Sequence, residues 1–101
     1  MTLQPYSWNE SKRVANLAKH GLDFENAAYV LESSHRLDVL SERNSEVRIQ
    51  SFAYVFQYLA VLTVVHLEKQ GSQIISFRRA STEERETYHE WLEKDLRKTD
   101  S

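Results

Sequence analysis

Glu46–Leu67 reads EVRIQSFAYVFQYLAVLTVVHL, and its reading decides the fold. Side chains alternate from Glu46 to Phe56, with Val47, Ile49, Ala53 and Val55 sharing one face, which is the pattern of a strand. Leu59 to Leu67 is a further apolar run rich in β-branched residues, again a strand. Gln57 and Tyr58 separate the two. A parallel pair would need a crossover of a dozen or more residues, so these strands are expected to be antiparallel neighbours. The Gln57-Tyr58 turn contains no Gly, Asn or Asp, so its residues do not specify its type.

Working outward, Arg36 to Leu40 reads as a short strand and Ser41 to Ser45 as a polar connection. On the other side, Lys69-Gln70-Gly71-Ser72 has turn chemistry, and Gln73 to Arg78 is a fourth strand. Ser81-Thr82-Glu83-Glu84 forms a capping box that opens a last helix, with Tyr88, Trp91, Leu92 and Leu96 along one stripe. Residues from Arg97 to Ser101 are expected to fray. Near the start, Ser7-Trp8-Asn9-Glu10 also has capping-box form. It introduces a helix with Trp8, Val14, Ala15, Leu17 and Ala18 at helical spacing, which stops at Gly21, with Leu22 folding back onto the last turn. Asp23 begins a second helix with Phe24, Ala27, Ala28 and Leu31 in register. The expected fold is α+β: two N-terminal helices, an antiparallel sheet of about four strands and a C-terminal helix, in one domain over residues 1–101 with its core in about 6–92.

With 101 residues and 41% hydrophobic content the chain can bury a core of its own. The net charge of -2 and pI near 6.1 rule out a surface that is basic throughout, so any anion site must be local. There are no cysteines for disulfides or thiolate metal sites. The N-terminus lacks the apolar stretch of a signal peptide, and Leu59–Val65 is too short to span a bilayer. A soluble cytoplasmic protein with no membrane contact is expected.

The candidate functional residues are cations, hydroxyls and imidazoles. Arg78 and Arg79 end the fourth strand, and alternation sends them to opposite faces, Arg79 with Ile75 and Phe77, Arg78 with Ser76. Either can pair with Glu83, Glu84 or Glu86, or hold a phosphate through its planar set of donors. Arg48 points away from Val47 and Ile49, and is either a solvated strand residue or a partner of Arg78 across the sheet. Lys19 and His20 complement the dipole of the helix they end, yet His20 titrates near neutrality and can act as a general acid or base. His66 is expected to be a satisfied, partly buried histidine, and His35 and His89 surface residues. The histidines show no recognised metal spacing, and there is no phosphate-binding glycine loop or nucleophile elbow. Such groups suffice to cleave RNA through its own 2′-hydroxyl, where charge stabilisation and proton transfer are what the protein supplies.

Two blocks of the sequence carry a family resemblance. The first comprises Trp8-Asn9-Glu10-Ser11-Lys12-Arg13, Asn16-Leu17-Ala18-Lys19-His20-Gly21-Leu22-Asp23-Phe24 and Ala27-Ala28. The second comprises Ile74-Ile75-Ser76-Phe77-Arg78-Arg79-Ala80-Ser81, then Glu84-Arg85 and Tyr88. The chain resembles the BrnT family of type II toxins, small ribonucleases with a RelE-like fold. The resemblance covers residue 6 to about 92. It implies cleavage of RNA without metal or other cofactor, arrest of translation, and neutralisation by a BrnA-like ribbon–helix–helix antitoxin. It also implies a complex of two toxins with two antitoxins that reaches operator DNA through the antitoxin alone. Carried over by position, Lys19, His20, Arg48, Arg78 and Tyr88 become the candidate site. Asn9 and Phe77 depart from the family pattern, which usually has Asp and a small residue there. An alternative function is therefore a catalytically weak or inactive antitoxin-binding protein that serves operon autoregulation, motivated by Tyr54, Phe56, Tyr58 and Leu59 near a sheet edge.

Overall fold

The computed structural model describes residues 5–69 and 71–99. Strand β1 (Tyr6–Trp8) leads into helix α1 (Glu10–His20), then a 3-10 turn (Phe24–Ala27) continuous with the short helix α2 (Ala28–Leu31). Four strands follow: β2 (Leu37–Arg43), β3 (Glu46–Val55), β4 (Ala60–Glu68) and β5 (Ser72–Arg79); helix α3 (Thr82–Thr99) closes the fold. The sheet order is β1-β5-β4-β3-β2. Strands β2 to β5 are antiparallel neighbours, as the short connections require, and β1 adds to β5 in parallel. The fold is α+β, close to the expected layout, with a five-stranded mixed sheet where four antiparallel strands were expected.

The additional strand corrects the reading of the N-terminus. Ser7 does not cap α1; it lies within β1, and Asn9 is the cap, its side chain accepting from Lys12 N–H at 3.1 Å. Ser72 N–H donates to Pro5 O at 2.9 Å, and Trp8 packs edge-to-face on Phe24, so tertiary pairing claims a segment with no periodicity of its own. Gly21 ends α1 as expected, in the left-handed region at φ 70°, its N–H reaching Leu17 O at 2.8 Å. The apolar stripe expected on α1 is not buried. Val14 is 53% and Leu17 39% exposed, and the buried residue of the helix is Asn16.

Other boundaries shift as well. The polar connection after β2 is shorter than expected, because the strand runs on to Arg43 and turns on Asn44 and Ser45 alone. Both have positive φ (53° and 63°), the geometry of a two-residue hairpin turn that matches strand twist. The Phe56–Tyr58 connection is a 3-10 turn closed by Leu59 at φ 51°, so Leu59 ends the turn instead of opening β4. Gln70 of the expected Lys69–Ser72 turn lies outside the described residues, as do Asp100 and Ser101; α3 continues through Arg97 to Thr99, past the expected fraying point. A bulge opposite Val65 and His66 makes Ile75 the extra residue of β5. Ile74 and Phe77 therefore both enter the core, where strict alternation would place Ile75 beside Phe77.

The sheet has a core on each face. The N-terminal helical segment covers one face, with Leu22, Phe24, Ala27, Val30 and Leu31 against Ala53, Val55, Leu62, Val64, Ile74 and Phe77. On the other, α3 covers one end through Tyr88, Trp91 and Leu92 against Phe52, Val61 and Leu37. Among the described residues no helix is long and apolar enough to cross a membrane.

Candidate active site

The site begins at β5, which has β1 as a neighbour only along Ser72–Ile74. Beyond Ile74 the α1 helix lies against the strand. Together they form a shallow hollow of about 230 Å³ whose rim carries Lys12, Lys19 and His20 from α1 and Ile75 and Ser76 from β5. That is smaller than a pocket for a whole small molecule, and suits one polar unit of a longer ligand. A larger depression of about 310 Å³ lies on the opposite side between Val39, Gln50, Phe52 and the first turns of α3, and its rim includes Glu83 and Glu84. Two carboxylates make it a poor seat for a polyanion.

Arg78 is held by the helix that follows it. Its Nη1 and Nη2 donate to Glu84 Oε1 and Oε2 at 2.7 and 3.0 Å. Glu84 also accepts from Ser81 N–H at 2.9 Å and from the Thr63 hydroxyl at 3.1 Å, and Ser81 Oγ accepts from Glu84 N–H in return. The capping box read from the sequence therefore exists, and its carboxylate doubles as the arginine's partner. Burial pushes the Glu84 carboxyl up, but the Arg78 guanidinium, with the other donors, holds it below its ordinary value. Arg78 remains 28% exposed. Two of its N–H groups are engaged by Glu84 and Nη1 also donates to Arg79 O at 3.4 Å, leaving the Nε–H and one Nη2–H for a further acceptor.

His20 closes the last turn of α1. Burial first, then the charges of Lys19 and Arg78, push its imidazole below the ordinary value of 6.5. The ring is thus neutral at pH 7 and has a lone pair to offer as a base. Asn16, one turn earlier on α1, bonds to the backbone of Phe77, the residue before Arg78, and so fastens the helix to the end of β5. Lys19 is exposed beside it.

The remaining candidates lie elsewhere. Arg48 shares a sheet face with Arg78, because Arg78 opposes Thr63, which opposes Phe52, four residues along β3. Two strand spacings and four residues separate their backbones by roughly 16 Å. Arg48 instead approaches Glu46, Nε to Oε1 at 3.4 Å. Tyr88 is buried in the core beneath α3, and its hydroxyl donates to His35 O at 2.7 Å. It packs with Phe52 and Val61. Arg79 is exposed and, opposite Leu62, leaves on the other face, as alternation requires.

Away from the hollow, His66 is completely buried, beyond the partial burial expected. Its Nε2 meets Ser51 Oγ at 2.8 Å, and Ser51 Oγ–H donates to Asp38 at 2.6 Å. Its Nδ1 has no hydrogen-bond partner and lies 3.2 Å from Glu68 Oε1. His35 and His89 are exposed. Among the described residues no group of three or more His, Asp or Glu side chains is arranged to hold a metal ion.

Sequence reasoning missed Asn16, Ser76 and Lys12 as members of the site, and treated Glu84 mainly as a cap. Asn16 carried a signal in principle, being a polar residue between Ala15 and Leu17 on a helix read as amphipathic. A family model described as "Ribonuclease toxin, BrnT, of type II toxin-antitoxin system" matches residues 8–84, which include every hollow-lining residue and both partners of the Arg78–Glu84 pair. No curated protein matches the chain.

Proposed function

The chain belongs to the BrnT family of ribonuclease toxins from type II toxin–antitoxin systems, and from that premise we propose a metal-independent endoribonuclease that cleaves RNA at the α1–β5 hollow. The observation that carries this reading is the hollow that Lys12, Lys19 and His20 share with Ser76 of β5, two residues before the guanidinium that Glu84 anchors.

The 2′-hydroxyl of the RNA gives its proton to His20 while its oxygen attacks the adjacent phosphorus. The phosphorus–5′-oxygen bond breaks, leaving a 2′,3′-cyclic phosphate, and the departing oxygen takes a proton from Lys19 or solvent. Charge develops on the non-bridging phosphate oxygens during this step, and donors fixed in advance stabilise it best. Glu84 is therefore an anchor for Arg78, holding the guanidinium plane while its unused N–H groups face the phosphate. Arg48 contacts RNA at another nucleotide.

In the cell the activity acts through its consequence: cut RNA arrests translation in the cytoplasm. A type II toxin has a cognate antitoxin. We assign that role to a BrnA-like ribbon–helix–helix protein in a complex of two toxins with two antitoxins, which reaches operator DNA through the antitoxin. A second reading, an antitoxin-binding protein with little nuclease activity, draws on exposed apolar residues at the β3–β4 turn, where Phe56 is 76% and Leu59 72% exposed. Induced expression separates the two, since growth arrest follows from the nuclease and unaffected growth from the binder.

The direct test is cleavage of RNA by the purified chain in excess chelator. Removing the Arg78 charge should cost on the order of 3 kcal/mol in the barrier, roughly a hundredfold in rate. Equal rates for wild type and Arg78→Ala would overturn the assignment.

A further inference from the structure

We infer that Asn16 is a positioning residue whose carboxamide takes the place of a missing strand on β5 and so fixes the end of α1, which carries Lys19 and His20, against the strand that carries Arg78. The inference rests on the proposed function for its catalytic consequence, and on geometry alone for the clamp itself.

β1 pairs with β5 only as far as Ile74, so the backbone of Phe77 would face outward with nothing to bond. Asn16 meets both of its groups. Its Oδ1 accepts from Phe77 N–H at 3.2 Å, and its Nδ2 donates to Phe77 O at 2.8 Å. The second Nδ2 hydrogen goes to Leu22 O at 2.9 Å, in the segment that follows the Gly21 cap. An acceptor and two donors on one planar group match one N–H and two carbonyls. Reversing the amide would set like against like at all three contacts. Asn16 is 8% exposed, although it lies on a helix whose apolar neighbours Val14 and Leu17 face solvent. What docks α1 at this point is thus a polar contact in place of an apolar stripe.

The contact has a direction. Phe77 immediately precedes Arg78, while Lys19 and His20 lie three and four residues beyond Asn16, on the same helical face. One side chain therefore ties the strand residue before the guanidinium to the helix turn that presents the imidazole. Asn16, Lys19, His20 and Ser76 all line the same hollow. His20 is half-buried at this end of the helix, and loosening the clamp would open it to solvent. A positioning group of this kind acts on the reacting geometry, so its loss should reduce kcat more than it raises KM.

The test uses the full chain. In Asn16→Ala and Asn16→Asp the His20 titration, followed by NMR, should move upward toward 6.5, and the acid limb of kcat should move with it. At neutral pH kcat should fall roughly tenfold or more, with KM changing by less than about threefold. Asn16→Asp keeps the acceptor for Phe77 N–H but turns a carboxylate toward two carbonyls, so it should not restore the wild-type titration. Val30→Ala, which weakens the core without touching the clamp, supplies the control for lost stability. It should leave the His20 titration in place, and an equal shift in Val30→Ala would overturn the inference. Wild type alone gives a further check that needs no variant to fold: the Phe77 amide should be slow in hydrogen exchange, and rapid exchange would overturn the clamp. If wild type shows the clamp and the lowered His20 titration but cuts no RNA, the proposed function fails and the positioning of His20 stands.

Discussion

Replacing Glu84 tests the part of the site where fold and chemistry share one carboxylate. Glu84 accepts from Ser81 N–H, the Thr63 hydroxyl and both terminal nitrogens of Arg78. Truncation to Ala removes the reciprocal half of the capping box, worth about 1 kcal/mol. It also strips the partner from a half-buried guanidinium, where hydrogen bonds to charged groups contribute about 1.5–3 kcal/mol. Arg78 keeps some access to solvent, which favours the lower part of that range. The expected loss is about 2–3 kcal/mol, or a fall in Tm of roughly 8–20 °C for a domain of this size. Glu84→Gln keeps a carbonyl oxygen for the cap but loses the charge, and should cost about 1–2 kcal/mol.

Urea unfolding at several pH values is the assay, with unchanged m-values as the condition for comparison. The folded Glu84 carboxyl titrates below its ordinary value of 4.5. Its stabilising contribution is therefore complete above that value and disappears as pH falls through the lower, folded one. The gap between wild type and Glu84→Gln should accordingly be widest near neutrality and close on acidification. A Glu84→Ala protein within about 0.5 kcal/mol of wild type, or a Gln gap that widens in acid, would refute the reasoning.

Other changes separate scaffold from site. Tyr88→Phe loses the bond to His35 O and should cost about 1 kcal/mol, with the RNA cleavage rate unchanged. Gly71→Ala would place a Cβ 2.7 Å from Pro5 O at φ 98°, so calorimetry should show a loss of about 1–3 kcal/mol. Burial holds His66 below 6.5; its folded value lies below its unfolded one, so stability is complete above about pH 6.5 and declines as pH falls through the folded value. Urea midpoints should therefore drop between pH 7 and 5 in wild type, and drop less in His66→Gln. Arg48→Ala should raise KM for long RNA but not for a dinucleotide, because Arg48 lies roughly 16 Å from Arg78; equal effects on both substrates would place it at the scissile phosphate.

Much of the architecture was legible because it is written in local chemistry. The short spacer between the central strands forced an antiparallel pair, Gly21 marked the end of α1, and Ser81 with Glu84 marked the start of α3. The divergence of Arg78 and Arg79 followed from pleating alone. The misses involve contacts between distant residues. β1 is three residues long and forms because β5 offers an edge, so no window around Tyr6–Trp8 could show it. The bulge at Ile75 depends on how β4 and β5 align, and it reassigns which residues enter the core.

For the site, residue types and their spacing determined that fixed positive charge would stand at the end of β5 and that an imidazole would end α1. Which of these groups share a place was decided by the tertiary structure. Register set Arg48 apart from Arg78, packing enclosed Tyr88, and the Asn16 carboxamide fastened α1 to Phe77 beside Arg78. Hydrogen bonds between residues sixty-one positions apart, like those from Asn16 to Phe77, leave no periodic trace in a sequence. Pleat, cap and turn preferences act over a few neighbouring residues, and they could be read at the outset for that reason.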